Sequence, residues 1–191
     1  MSTDPATYPP GTKEFVIDVI TDSFKLTNSL LNESERAAVI LAAARLDVDL
    51  EKLLRQLLVP HPGGNDPLFD GDRMLGTFSA KILFAYRLGA IDPGFEHALQ
   101  ILRRIRNDFA HGLDDETLSS NRQKQRVHQL VRWAEHSKVY QSAISAHGER
   151  AKSVEHLQFT ACAVCMAMLL QISWKKFSQI TIRDPMSISD T

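Results

Sequence analysis

The segment IRNDFAHG, residues 105–112, brings an arginine, an asparagine and a histidine close together in the chain. A histidine that titrates at about pH 6.5 can accept a proton from a ribose 2′-hydroxyl. An arginine can bind the adjacent phosphate and stabilise the charge that develops on it. His111 as general base and acid, Arg106 as phosphate clamp and Asn107 as orienting group therefore form a candidate catalytic set for metal-independent RNA cleavage.

Helix geometry sets a condition on this chemistry. On an uninterrupted α-helix, a separation of five residues turns the side-chain direction by about 140°. Gly112 follows His111 directly and predicts a helix end there, which would free the imidazole to meet Arg106. The structural alternative is that Arg106 and His111 satisfy helix-end carbonyls and pair with nearby acids such as Asp108 and Asp114. Similar arginine–histidine spacings recur elsewhere in the chain, so the spacing alone does not decide between the two.

The elements that must position these residues are predicted to be helices. Apolar residues recur close to the helical period, and strand-like alternation is not evident. In the first helix they are Phe15, Val16, Val19, Ile20, Phe24 and Leu31. The predicted helices cover residues 13–31, 32–59, 77–89, 92–112, 119–136 and 149–180. The fold class is therefore all-α, a single bundle of about six helices.

The predicted domain covers residues 13–181, between a proline-rich flexible arm at 1–12 and a polar tail at 182–191. The loop at 60–74 is long for a helical domain and has two interpretations: a lip for a partner or ligand, or a packed corner. We favour the corner, in which the apolar side chains plug the bundle and Lys81 is available for an acid of the loop. The apolar side chains are Leu68, Phe69 and Leu75, and the acids are Asp66, Asp70 and Asp72.

Charge argues against a protein that is drawn to nucleic acid by its overall field. The chain has 191 residues and a formal net charge of −1. Domains that bind duplex DNA often have a pI above about 9, and the sequence pI here is about 6.7. The predicted fifth helix has two interpretations: its cations follow a phosphate backbone in a local contact, or they form a solvated face. These candidate nucleic-acid-binding residues are Arg122, Lys124, Arg126 and Arg132.

The apolar run at 159–174 predicts a buried central helix. It falls short of the roughly 20 apolar residues that a bilayer crossing needs, so we expect no membrane span. Cys162 and Cys165 both lie in this run, where they read as buried thiols rather than as a disulfide or metal site. We therefore expect a cytoplasmic protein with no cofactor and no metal.

Two family resemblances add to this interpretation. The string Arg106-Asn107-x-x-x-His111 matches the Arg-Asn-x-x-x-His signature of HEPN domains. Those domains are all-helical and frequently dimeric. Many are metal-independent ribonucleases whose arginine and histidine meet at a dimer interface, and others are inactive nucleotide-binding or regulatory domains. This resemblance implies an endoribonuclease, with RNA as a partner.

A longer stretch resembles the mannitol operon repressor family. The resemblance rests on DPLFDG at 66–71, LGTFSAKI at 75–82 and AYRLGAI at 85–91, followed in order by Arg106, Asn107 and His111, and it spans roughly residues 35–112. It implies an all-helical regulator that works through a protein partner, with homodimerisation as one form of that association. A DNA-reading motif is not evident, so direct DNA binding is not expected. Regulation through protein association is the leading hypothesis, and the endoribonuclease is its alternative.

Overall fold

Seven α-helices form the fold in the computed structural model, which describes residues 12–112, 116–148, 150–173 and 177–181. In chain order they are α1 (Lys13–Asn32), α2 (Glu35–Leu57), α3 (Phe78–Arg87), α4 (Pro93–His111), α5 (Asn121–Ala134), α6 (Lys138–His147) and α7 (Val154–Ser173). A short 3-10 turn, Pro67–Phe69, lies in the loop between α2 and α3. These described ranges contain no strand, which confirms the all-α class.

Local capping residues set most helix ends. Asp92 accepts a hydrogen bond from the Phe95 N–H at 2.8 Å, and Pro93 occupies the first helical position of α4. Gly89, just beyond α3, has a φ of 72°, which favours glycine because it has no side chain. The predicted start of α2 at Asn32 is wrong, because Ser34 caps this helix instead.

The predicted helix count is also wrong, because residues 138–147 form the separate helix α6. Its sequence, KVYQSAISAH, carries few large apolar residues, and Tyr140 is its one buried residue. A short helix with so little buried surface gives too weak a periodic signal to be recognised. The predicted last helix, residues 149–180, was also too long, because α7 begins at Val154 and ends at Ser173.

Helix α7 forms the centre of the core, as predicted. It packs against α1, α2, α5 and α6, and almost every residue from 155 to 167 is buried. The helix is long and apolar enough to cross a membrane, but 72% of its apolar window is buried inside the domain. Burial among the other helices therefore accounts for its composition.

The loop between α2 and α3 is a packed corner, as favoured from the sequence. Phe69 and Leu75 are buried, and Leu68 packs against the core. The predicted partner acids of Lys81 are wrong, because its Nζ binds Asp47 at 2.9 Å and Glu51 at 2.7 Å on α2. Helix α2 lies beneath α3, so it supplies acids closer to this buried ammonium than the loop does.

A polar network joins α1, α2 and α7 at the edge of the core. The Arg45 guanidinium donates to Asp22 on α1 and to Asp49 at 2.7 Å, while Gln171 of α7 donates to Asp22 at 2.7 Å. Burial raises the pKa of Asp49 despite the nearby Arg45. Burial also acts to raise the pKa of Asp22, but hydrogen bonds from Arg45 and Gln171 outweigh it and leave that pKa lowered.

His156 should make the stability of the protein depend on pH. The imidazole is fully buried, its Nε2–H donates to the Leu30 carbonyl at 3.1 Å, and its Nδ1 has no hydrogen-bond partner among the described residues. Burial lowers the pKa of His156. Below about pH 6.5 this histidine binds a proton in the unfolded chain but not in the folded chain. The free energy of unfolding should therefore fall as the pH drops.

Urea unfolding followed by circular dichroism between about pH 7.5 and 5.5 tests this expectation, because the carboxyl groups titrate mostly below this window. His156→Gln should show a shallower fall than wild type, whereas the exposed control His136→Gln should retain the wild-type fall. An identical pH dependence in wild type and His156→Gln would contradict the assignment.

Candidate functional sites

The predicted catalytic residues lie on the exposed end of α4. Helix α4 ends at Gly112, as predicted, but His111 is still its last helical residue. The imidazole therefore keeps its helical direction, about 140° away from Arg106 around the axis. Arg106 instead donates to Asn107 Oδ1 at 3.1 Å, and no hydrogen bond joins it to His111 in the described part of the chain. Within one chain the pair does not converge.

The structural alternative for Arg106 and His111 also needs correction. The end of α4 is held by Arg36 of α2, whose guanidinium donates to the carbonyls of Phe109 and Gly112. Asp108 faces α5 rather than Arg106, and Asp114 lies outside the described residues. Sequence reasoning missed Arg36, because 73 residues separate it from Phe109 and no local pattern links the two.

The cations predicted to bind nucleic acid mostly have acidic partners. Arg122 and Arg126 both pair with Asp108, the first at 3.1 Å. Burial acts to raise the pKa of Asp108, but hydrogen bonds from Gln123 and Arg126 outweigh it and leave the pKa lowered. These contacts fasten α5 to the end of α4.

Lys124 pairs with Glu155 of α7 at 3.0 Å, and this hydrogen bond lowers the pKa of Glu155. Arg132 is exposed on the last turn of α5. The partner acids, Asp108 and Glu155, lie on α4 and α7, so they could not be predicted from the sequence of α5, which has no acid. Nucleic-acid binding by these residues stays a prediction, with less free positive charge to support it.

An apolar surface on α1 was not anticipated. Three side chains of the predicted stripe point partly to solvent: Val16 is 41% exposed, Ile20 43% and Phe24 56%. Ile17, which lay outside the predicted stripe, is 59% exposed beside them. We call these four residues the α1 apolar face. Phe15 and Val19, on the other side of the helix, are buried. Helix α1 is thus apolar on two sides. A surface helix of a globular protein usually has one apolar stripe, which faces the core, and a polar opposite side.

A groove of about 380 Å³ adjoins this face between α1 and α6, with α7 as its floor. We call it the α1–α6 groove; its apolar lining includes Ile20, Phe24, Val139, Ala143, Val164 and Met168. This groove could not be predicted, because one of its walls is helix α6, which was not recognised from its residues.

A second groove, of about 570 Å³, lies between α2, the start of α3 and the exposed side of α4. Arg103, Arg106 and Asn107 line it from α4, and Asp47 lines it from α2. We call it the arginine groove. His111 is not among its lining residues, so the predicted catalytic set is divided between two parts of the surface.

The two cysteines are buried and free, as predicted. Burial raises the pKa of both thiols, that of Cys165 to about 11. Such thiols are protonated at neutral pH and are poor nucleophiles. The Cys-x-x-Cys pair therefore belongs to the packing of α7.

Comparisons with protein-family models, with curated proteins and with solved structures give no significant match, so both family resemblances remain predictions.

Proposed function

We propose that this chain is a regulatory protein that acts by binding another protein through the α1 apolar face and the α1–α6 groove. The observation that carries the proposal is the exposure of four large apolar side chains on one helix beside an apolar groove. A contiguous apolar surface of this kind is typical of protein interaction sites, because removing it from water is favourable. The regulatory role itself rests on the resemblance to the mannitol operon repressor family.

The spacing on α1 suits contact with a partner. Ile17, Ile20 and Phe24 lie three and four residues apart, so they form one ridge on the helix. Phe15 and Val19 hold the opposite side of α1 in the core. The ridge is therefore presented by a helix that is already anchored.

The groove suits a helical segment of the partner. Ser142, Ala143 and Ala146 give α6 a low wall, and Met168 supplies an adaptable side chain. A shallow apolar channel between two helices can receive the apolar side of a third. A second copy of this chain, with its own α1 ridge, is one partner of that chemistry.

The endoribonuclease alternative depends on a dimer, as the HEPN resemblance implies. Arg106 and His111 diverge on an intact helix, so a catalytic set would need a second chain to complete it. Direct operator binding is also disfavoured by the ion pairs of Arg122, Lys124 and Arg126. A cytoplasmic location is part of the proposal and agrees with the two free cysteines.

The double variant Ile17→Asp, Phe24→Asp should lose the partner and keep the fold. Both side chains are more than half exposed, so we expect the free energy of unfolding to change by no more than about 1 kcal/mol. Burying two carboxylates in an apolar interface should reduce partner capture at least about tenfold. Quantitative mass spectrometry of proteins captured from cells measures this loss, and light scattering reports whether the partner is a second copy.

Val48→Asp is the matched control, since Val48 is a similarly exposed apolar residue on α2. It should retain the wild-type partner. Equal partner capture by the wild type and the double variant would refute the assigned surface. So would the absence of both a reproducible partner and a dimer in the wild-type preparation.

A further inference from the structure

We propose that the α1–α6 groove binds a medium-chain fatty acid, and that the bound acid keeps the partner's helix out of the groove. The binding itself is argued from the groove alone, whereas the exclusion of a partner rests on the function proposed above. Three observations carry the inference: an apolar lining, a lysine without an acidic partner at one end, and a length that matches an alkyl chain.

The floor and both walls of the groove suit a hydrocarbon chain. Val164 and Met168 of α7 lie one turn apart on the floor, and Ile20 and Phe24 of α1 form one wall. The opposite wall is low, because Ala143 of α6 has only a methyl group. An alkyl chain laid along the floor would contact apolar groups over its whole length, and its removal from water would stabilise the complex.

The hydroxyl groups of the α1 wall are turned to their own helix. Ser23 Oγ donates to the Val19 carbonyl at 2.8 Å, and Thr27 Oγ1 donates to the Ser23 carbonyl at 2.8 Å. A ligand with polar groups along its length would therefore lose hydrogen bonds to water without replacing them at this wall. A ligand with a single polar end avoids that cost.

The charge of the groove indicates that this polar end is an anion. Lys138, the first residue of α6, lines the groove and forms no ion pair within the described ranges. The lining residues in this part of the chain include no acid. An ammonium binds a carboxylate through a charge-assisted hydrogen bond, and the N-terminal end of α6 favours negative charge at the same place.

The length of the groove sets the length of the chain. Lys138 and His147 both line it and are the first and last residues of α6, so the groove follows the whole helix. Nine positions on a helix span about 14 Å. A zig-zag chain with bonds of about 1.5 Å advances roughly 1.3 Å per carbon, so about ten carbons reach from one end to the other.

The fatty acid and a partner's helix would occupy the same space. The groove has a volume of about 380 Å³, which is near the lower limit for a small-molecule site. Apolar side chains of a partner would insert between the same two walls, so only one occupant fits at a time. The acid would thus act as a small-molecule regulator of the association.

Isothermal titration calorimetry with octanoate, decanoate, dodecanoate and decylammonium, all below their micellar concentrations, tests the binding. Decanoate should bind saturably and about fifteenfold more tightly than octanoate, because each buried CH₂ group contributes about fourfold. Dodecanoate should gain less over decanoate than decanoate gains over octanoate, because its chain exceeds the groove. Decylammonium should bind at least about tenfold more weakly than decanoate, since Lys138 repels it.

Two variants separate the chain contact from the charge contact. Ala146→Leu fills the groove from an exposed position and should weaken decanoate by about tenfold or more. Lys138→Gln should weaken decanoate by about fivefold and remove its preference over decylammonium. The matched controls are Ser145→Leu and Lys13→Gln, which change exposed residues outside the lining and should bind as the wild type does. Circular dichroism should show that all variants are folded.

The binding is overturned by no saturable binding at millimolar decanoate, by equal binding of decylammonium, or by unchanged affinity in Ala146→Leu. Capture of the partner from cells, repeated with saturating decanoate, tests the exclusion and should fall at least about tenfold, with decylammonium as the control for detergent effects. Undiminished capture, or the absence of any partner, overturns the exclusion. Calorimetry uses the purified chain alone, so its result distinguishes a failure of fatty-acid binding from a failure of the proposed protein association.

Discussion

Replacing Arg45 with methionine is expected to lower the free energy of unfolding by about 3 kcal/mol, because it leaves the Asp49 carboxylate in the core without its cation. Asp49 is only 2% exposed, and the Arg45 Nε–H is its ion-pair partner at 2.7 Å. The same guanidinium binds Asp22 of α1, so the substitution also loosens α1 from α2. Urea unfolding at neutral pH measures the loss.

Arg73→Met provides the control, because the ion pair of Arg73 with Asp72 is exposed and should contribute about 1 kcal/mol or less. Adding Asp49→Leu to Arg45→Met should recover part of the lost stability, since it removes the orphaned charge. If Arg45→Met and Arg73→Met lose the same stability, the network does not hold the core as argued.

Gly76→Ala is expected to lower the free energy of unfolding by about 2–3 kcal/mol through steric overlap with the backbone. A Cβ atom at Gly76 would lie 2.1 Å from the carbonyl oxygen of Asp70 and 2.7 Å from the backbone of Gly71. Backbone atoms cannot rotate away as a side chain can, so the corner that leads into α3 must shift. Thermal and urea unfolding both report the cost.

Gly71→Ala is a closely matched control five residues earlier in the same corner. A Cβ atom there would have no neighbour within 4 Å, and its φ is not positive. Its free energy of unfolding should stay within about 0.5 kcal/mol of wild type. Equal effects of the two substitutions would show that the close approach at Gly76 does not constrain the fold.

The features that the sequence could predict are those decided by neighbouring residues. Asp92 and Pro93 mark the start of α4, and Gly89 marks the end of α3, through contacts within a few positions. The burial of α7 also followed from its own composition, because a helix that is apolar all round must be surrounded. Local signals of this kind were enough to predict these helix ends, and the apolar composition of α7 was enough to predict the central helix.

What the sequence could not predict depends on contacts between distant segments. Arg36 reaches the end of α4, and the charges of α5 find acids on α4 and α7. No spacing rule links such pairs. The direction of Arg106 and His111 likewise depended on whether the helix stopped before or after His111, a difference of a single residue.

The outward side of α1 was misread for a related reason. Periodicity identifies apolar residues at helical spacing, but it does not say which of them the bundle covers. Phe15 and Val19 are covered, whereas Val16 and Phe24 are partly exposed. The α1–α6 groove therefore became visible only when the position of α6 was known.

The central position of α7 has a consequence for synthesis on the ribosome. The six helices that precede α7 emerge first, and α1, α2, α5 and α6 wait for the segment against which they pack. Until residues 154–173 leave the exit tunnel, the nascent chain exposes apolar surfaces that chaperones and proteases bind. Arrival of this segment then completes the interior, so that the earlier helices of the domain mature only after α7 has been synthesised.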